Sequence, residues 1–360
     1  MNKIDKFIIV FLFFIFSASS LSGQIYKPNS FSSSVIFGHD SNPLRLSEDE
    51  ISQLSDKPYL LGSASDVYSR FIGLNAKFSF YSRKAILAKI FDRKTSFSFS
   101  VTYKKYFDNK EKNSQYFTFK INQQLDKYRR LHINYSLMPQ YYIRQYEDLD
   151  YLISYGDIDD ISRHYSCTFD MEKLYIIFQA PLSLIQNKVK VGAFYERQIF
   201  SPYFTEFDLN IAGQSIQFLF KGDNNYFNSN RTVSFLYEKH IGDNSTFLSE
   251  VFSANYMNRD YKQHRYKVSF NQTINSSKSF GFIIDTYKRF NTSKIVTDEL
   301  HYKRKHTDLT LSIWYKKDRS KIMLSNRKRV ARSPFGWVEE LKSFDRYILT
   351  LTMTLANKKF

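Results

Sequence analysis

The stretch TSFSFSVTYK at residues 95–104 sets Phe97, Phe99, Val101 and Tyr103 against Ser96, Ser98, Ser100, Thr102 and Lys104. A strand turns successive side chains to opposite faces, so this segment reads as a ribbon with one apolar face and one hydroxyl-bearing face. The same contrast returns in Phe117, Phe119 and Ile121 against Thr118, Lys120 and Asn122, and in Leu131, Ile133, Tyr135 and Leu137 against His132, Asn134 and Ser136. It closes the chain, where Tyr347, Leu349, Leu351, Met353 and Leu355 alternate with Arg346, Thr350, Thr352 and Thr354. Further runs of this kind occupy 72–80, 174–182, 189–195, 233–237, 248–256, 266–270, 280–284 and 309–315.

Strict alternation over about nine to thirteen residues is longer than the strands of a soluble sandwich and matches the span of a tilted strand across a hydrocarbon core. In lipid every backbone N–H and C=O needs a partner, so strands cross only as a closed cylinder. The small polar residues then face a lumen, and Tyr103, Tyr135, Tyr195, Tyr256, Tyr315 and Tyr347 stand where interfacial girdles form. The predicted fold is all-β: a transmembrane antiparallel up-and-down β-barrel of 14–16 strands.

The 360 residues include 64 aromatic rings, Tyr 27, Phe 35 and Trp 2, but only 11 Gly and 7 Pro, which excludes disordered and collagen-like classes. Mean hydropathy is −0.43. That value follows from alternation, because every second strand residue is polar. Lys3 and Lys6, the apolar run 7–16 and the small residues up to Gly23 read as an export signal over residues 1–23, with one barrel domain over 24–360. The apolar run is half of what a spanning helix needs. Cys167 is the one cysteine, which excludes an intrachain disulfide and a cysteine-based zinc site.

Barrels of this kind have short turns at one end and longer loops at the other. Short turns are expected at 126–129, 183–187, 241–245, 275–279 and 316–319, and longer connections at 38–66, 107–114, 144–162, 291–298 and 329–343. A count of sixteen strands requires residues 206–221 to form a hairpin turning near Gly213, where the apolar phase moves from Phe207, Leu209 and Ile211 to Ile216, Phe218 and Phe220. Read as one strand, the segment lowers that count. Phase slips at Glu172–Lys173 and between Tyr302 and Leu309 call for bulges or shifted boundaries. Residues 46–54, with an acidic start, and 84–91 are the candidate short helices.

The export signal, the alternating strands and a last strand running from Phe344 towards the terminal Phe360 resemble the outer-membrane β-barrels of Gram-negative bacteria. Gly38, His39, Asp40, Ser41, Asn42 and Pro43, followed by Arg45, Leu46, Ser47 and Glu48, look like the opening of poorly characterised, porin-like members of that group. The resemblance implies location in the cell outer membrane, contact with outer-membrane lipid and recognition of the last strand by the barrel-insertion machinery. In this chain Ala356, Asn357, Lys358 and Lys359 separate Phe360 from the regular alternation.

No motif marks catalytic chemistry, and no cofactor or metal is expected. The seven His are scattered, and the acidic group Asp40, Glu48, Asp49 and Glu50 lacks the spacing of a calcium loop. Cys167 shares parity with Tyr165 and Phe169 and reads as wall. A formal charge of +17 raises nucleic-acid binding in general, but the export signal and the absence of a basic recognition stripe argue for no nucleic acid. Instead Lys104, Lys120, Lys190, Arg265, Lys267 and Arg346 take polar-face positions and would give a lumen a field favouring anions. Lys303 to Lys305 and Arg327, Lys328, Arg329 and Arg332 read as surface contacts for lipid phosphate or anionic polysaccharide. Three readings follow: a passive channel or binding barrel for small, anionic solutes; a non-conducting barrel acting as scaffold, adhesin or export partner; and an enzyme modifying envelope lipid.

Overall fold

Alternation carries through fourteen antiparallel strands: β1 (Ser30–Asp40), β2 (Ser69–Ser82), β3 (Thr95–Tyr106), β4 (Ser114–Gln124), β5 (Arg130–Glu147), β6 (His164–Leu182), β7 (Leu184–Phe200), β8 (Leu209–Asn224), β9 (Ser229–Asn244), β10 (Tyr261–Thr273), β11 (Lys278–Asn291), β12 (Lys305–Lys317), β13 (Ser320–Arg332) and β14 (Phe344–Lys359). The computed structural model describes residues 29–82, 90–148, 164–182, 184–224, 229–247 and 256–359. Each strand pairs with the one before it, and β14 returns to β1, where Phe37 stands opposite Leu351 and closes the barrel. The export signal at residues 1–23 and the terminal Phe360 lie outside the described residues.

The apolar parity faces outward. Phe37, Leu74, Ile176, Val191, Phe235, Phe282, Ile313, Leu324 and Leu351, drawn from nine strands around the ring, are all exposed. A band of that extent has no place in water, and with every strand paired on both edges it forms a membrane-spanning wall. Tyr195, Tyr266 and Tyr347 lie outward near one end of the barrel and Tyr315 near the other, the positions of the two girdles. Among the described residues no helix is long and apolar enough to cross a membrane.

The inward parity carries hydroxyls and amides that bond across strands, as in Asn75 Nδ2 to Thr102 Oγ1 at 2.7 Å, Ser234 with Ser269 at 2.6 Å and Ser325 to Ser312 at 2.8 Å. Gly281 marks a close approach: a Cβ there would stand 2.2 Å from the Phe270 carbonyl oxygen and 2.7 Å from the Trp314 ring. The neighbouring strand's indole therefore needs glycine on β11.

Two phase switches have a cause other than turns or bulges. Residues 206–221 do not form a hairpin, because β8 runs unbroken through Gly213. Leu209 and Ile211 face inward and pack with Phe194 and Tyr261, while Ile216, Phe218 and Phe220 face outward. Pairing is likewise regular through Glu172 and Lys173, since Cys167 is buried inside against Phe200 and Phe204 whereas Leu174 and Ile176 meet the exterior. One end of the interior is thus packed with apolar side chains. The register shifts fall at residues 138–144 of β5, between Ser33 and Ser34 opposite Leu355, and between Pro181 and Leu182 at the end of β6. The slip after Tyr302 is a boundary, with β12 beginning at Lys305.

The short connections at 125–129, 274–277 and 318–319 share one end, here the turn end; those at 41–68, 107–113, 201–208, 292–304 and 333–343 share the other, the loop end. Residues 241–244 belong to β9 and lead into a long connection, correcting the turn expected at 241–245. Of the strand expected at 248–256, residues 248–255 lie outside the described residues, as do 84–89 of the second candidate helix and 149–162 of the loop at 144–162.

Candidate functional site

The lumen changes character along its length. Towards the turn end Lys120 and Lys190 stand on the inward parity together with Lys77 and Lys188. Lys77 and Lys120 are exposed although they face the interior, so this half of the lumen is wet. No salt bridge engages any of these four lysines among the described residues.

Halfway up, the charges are matched. Arg265 donates to Asp285 Oδ1 at 2.8 Å and to Glu238 Oε2 at 3.0 Å, His240 Nε2 lies 3.3 Å from the same Glu238 oxygen, and Lys267 stands 3.8 Å from Asp285. Tyr175 donates to Ser215 and faces Glu238 Oε1 at 3.4 Å. Arg265 and Lys267, expected as lumen cations, are inward but neutralised by neighbours on β9 and β11.

At the loop end the arginines gather. Arg346 pairs with Asp40, whose second oxygen accepts from the Tyr106 hydroxyl at 3.2 Å, and Lys104 lies 5.0 Å from the Phe71 ring centre. Arg327 and Arg329 both donate to Asp308, at 2.8 and 3.1 Å, and to the Tyr287 hydroxyl, at 3.1 and 2.7 Å. This corrects their expected place on the surface: both share parity with Ser325, and only Lys328 and Arg332 are exposed on the outer face. Arg304, expected with Lys303 and Lys305 as a surface group, is buried.

Segments of the loop end close over this half. Asn42 ties the turn that follows β1: its Nδ2 donates to the Leu46 carbonyl at 2.8 Å and its Oδ1 accepts from Leu46 N at 2.9 Å. Arg45, on that turn, adopts the left-handed conformation with φ 59°. Burial, opposed by Tyr141 and reinforced by Arg327, Arg346 and Arg329, holds its guanidinium below its ordinary pKa. Arg45 thus sits between β5 and the far wall formed by β13 and β14. Helix α1 (Glu48–Ser52) follows, started by a capping box between Ser47 and Glu50. Glu50 also receives Arg144 of β5, Nη1 to Oε1 2.7 Å. Leu44 and Leu46 pack on Tyr142 with Leu54, Leu60 and Leu61. Lys112, between β3 and β4, donates to the carbonyls of Tyr142 and Ile143 at 2.7 and 2.9 Å, and burial pushes its ammonium down to about 8. Helix α2 (Gly336–Lys342), in the β13–β14 connection, touches α1.

Outside, above the apolar band, the register of β9 to β13 sets Lys239, Lys262, Lys288, Lys305, Lys328 and Arg332 side by side on the outward parity, all exposed. Among the described residues only Arg332 of these forms a salt bridge, to Glu339 at 3.9 Å, while Asp345 of β14 stands opposite Lys328. No group of three or more His, Cys, Asp or Glu side chains among the described residues could hold a metal ion.

Sequence parity carries enough signal to find Lys77, Arg289, Asp308, Arg327 and Arg329 as inward groups. Arg45, Arg304 and the contact of Glu50 with Arg144 had no signal, because the connections that place them follow no period.

No family model matches the chain, and no curated protein matches it. Among solved structures, the outer membrane channel DcaP of Acinetobacter baumannii is 7% identical with a TM-score of 0.44, covering 90% of this chain and 96% of that one. An anion-selective porin from Comamonas acidovorans is 6% identical with a TM-score of 0.41, over 91% and 99%. OprD from Pseudomonas aeruginosa is 9% identical with a TM-score of 0.38, over 92% and 97%. Similarity at that level leaves the function to be argued from this chain's own residues.

Proposed function

We propose that this chain is an outer-membrane barrel that admits small solutes, anions before cations, by size and electrostatic selection. The observation that carries the reading is the row of inward lysines at the turn end, Lys77, Lys120, Lys188 and Lys190, exposed or half-exposed and without salt bridges among the described residues. In a narrow lumen with a low-dielectric wall, unmatched charge of one sign concentrates the opposite ion. The inward-folded segment 41–68 sets the constriction. No covalent chemistry enters, and the outward lysines of β9 to β13 hold anionic headgroups of the surrounding leaflet. In planar bilayers the purified protein is expected to form channels whose reversal potential in a salt gradient has the sign of anion preference. Cation preference would reject the selectivity.

One relationship favours the second reading, a barrel that does not conduct at rest. Glu50 and Arg144 are both buried, and their pairing fixes α1 across the lumen. Wild-type protein that inserts without conductance, and conducts once this pair is broken, decides for it.

A further inference from the structure

Arg304 precedes β12 at the loop end, its backbone held by Asn291, whose N and Nδ2 donate to the Arg304 carbonyl at 2.9 and 3.2 Å. The residue is 9% exposed, and neither Nε nor Nη1 has a hydrogen-bond acceptor among the described residues. A buried charged donor without a partner is strongly disfavoured, so such a group in a folded wall is one that something else satisfies.

Basic side chains predominate around it, with Asp298 the acidic one among its charged neighbours. Arg289 of β11 stands opposite His306 of β12, and the Nε2 of that buried imidazole is also without a partner among the described residues. The Arg289 guanidinium lies 3.7 Å from the Tyr261 ring centre and donates through Nε to Gln263 at 2.9 Å. Arg259 lies against the Phe207 and Phe200 rings, at 4.7 and 5.2 Å, and donates to the Phe207 carbonyl. Two carboxylates at this level are committed. Asp298 accepts from His301 Nδ1 at 2.9 Å, Asn258 N at 2.9 Å and the Ser293 hydroxyl at 3.1 Å, and Asp308 is shared by Arg327 and Arg329. Burial, then the fields of Arg289, Arg259 and Arg329, hold the Arg304 guanidinium down at about 9. Arg289 and Arg329 remain partly exposed, which gives the cluster a face towards the lumen.

We propose that Arg304, with Arg289, Arg259 and His306 around it, forms a binding site for a small oxyanion, the phosphate or carboxylate group of a solute entering from the loop end. An oxyanion offers several acceptors to donors that have none and neutralises guanidinium groups that now repel one another. The inference rests on the proposed anion-admitting lumen and adds to it a discrete, saturable site. A pore selective by its field alone needs no such site.

Calorimetric titration of the detergent-solubilised barrel with inorganic phosphate and, separately, with succinate, at constant ionic strength in chloride, tests it. Saturable heat with at least one of the two is expected, and the one that gives it identifies the group recognised. Losing charge-assisted hydrogen bonds makes R304A bind roughly tenfold or more weakly while it still migrates as a heat-modifiable barrel. Should R304A not fold, R304Q is read by the same criterion. No saturable heat with either anion, or a variant that binds as the wild type does, overturns the site. The two claims fail separately: anion-selective conductance without saturable heat removes the site alone, and saturable heat in a cation-selective pore removes the selectivity alone.

Discussion

Arg144 Nη1 lies 2.7 Å from Glu50 Oε1, with both side chains 7% exposed, and this contact joins residues 94 positions apart in the chain. It fastens α1 to β5 across the mouth of the lumen. Removing one partner of a buried pair costs about 3–5 kcal/mol, because the other charge is left in a poor solvent. In E50A the cheapest relief is for segment 41–68 to leave the lumen. Single-channel conductance is expected to rise in that variant, with the barrel itself still heat-modifiable. Unchanged conductance would separate the segment from control of the pore.

The turn-end lysines set the sign of the lumen field. In K120E and K190E combined, two positive charges of the basic turn-end half of the lumen become negative, and the reversal potential is expected to move towards cation preference. Reversing Arg265 instead would disrupt its pairing with Glu238 and Asp285, so its effect would fall on stability. A reversal potential indifferent to the two lysines would place selectivity elsewhere.

Acid is expected to loosen the connection at 292–304. Burial, partly opposed by the Asp298 hydrogen bond and reinforced by Arg304, brings the His301 pKa down to about 4 from an ordinary 6.5. The unfolded segment therefore takes up a proton first as pH falls. Stability is full above pH 6.5 and is lost progressively down to about 4, by about 3 kcal/mol for the local structure. Hydrogen exchange of residues 292–304 as a function of pH checks this, and in H301N the dependence should flatten. Equal protection at pH 7 and pH 4 in the wild type contradicts it.

The outward lysines of β9 to β13 predict retained lipid. Replacing Lys262, Lys288 and Lys305 with Glu is expected to lower the phosphorus that copurifies with the barrel, by about 1 kcal/mol of attraction lost per lysine near the surface and more through repulsion. Phosphorus assay of matched preparations decides, and equal content in both would remove this belt as a headgroup contact.

Much of the wall was legible because its physics is local. Whether Leu324 meets lipid and Ser325 meets the lumen follows from period two, and the same rule applied past Ser325 places Arg327 and Arg329 inside. Grouping them with Lys328 and Arg332 by charge alone hid that. The hairpin at Gly213 failed for a different reason: Leu209 and Ile211 are apolar because they fill the loop end of the interior, a demand set by Phe194 and Tyr261 on other strands. Nothing periodic marks Arg45, Arg304 or α2, whose positions depend on connections folding inward onto partners far away in sequence.

The most direct test of the whole account is spin-label accessibility at two positions of β2, Leu74 and Lys77, with the buried Cys167 replaced by Ala. A label at Leu74 is predicted to collide with oxygen dissolved in the bilayer and to be shielded from a water-soluble nickel complex. A label at Lys77, three residues along the same strand, is predicted to do the reverse. The opposite pattern, or two labels that respond alike, would contradict a closed barrel with an apolar exterior and a wet, basic interior.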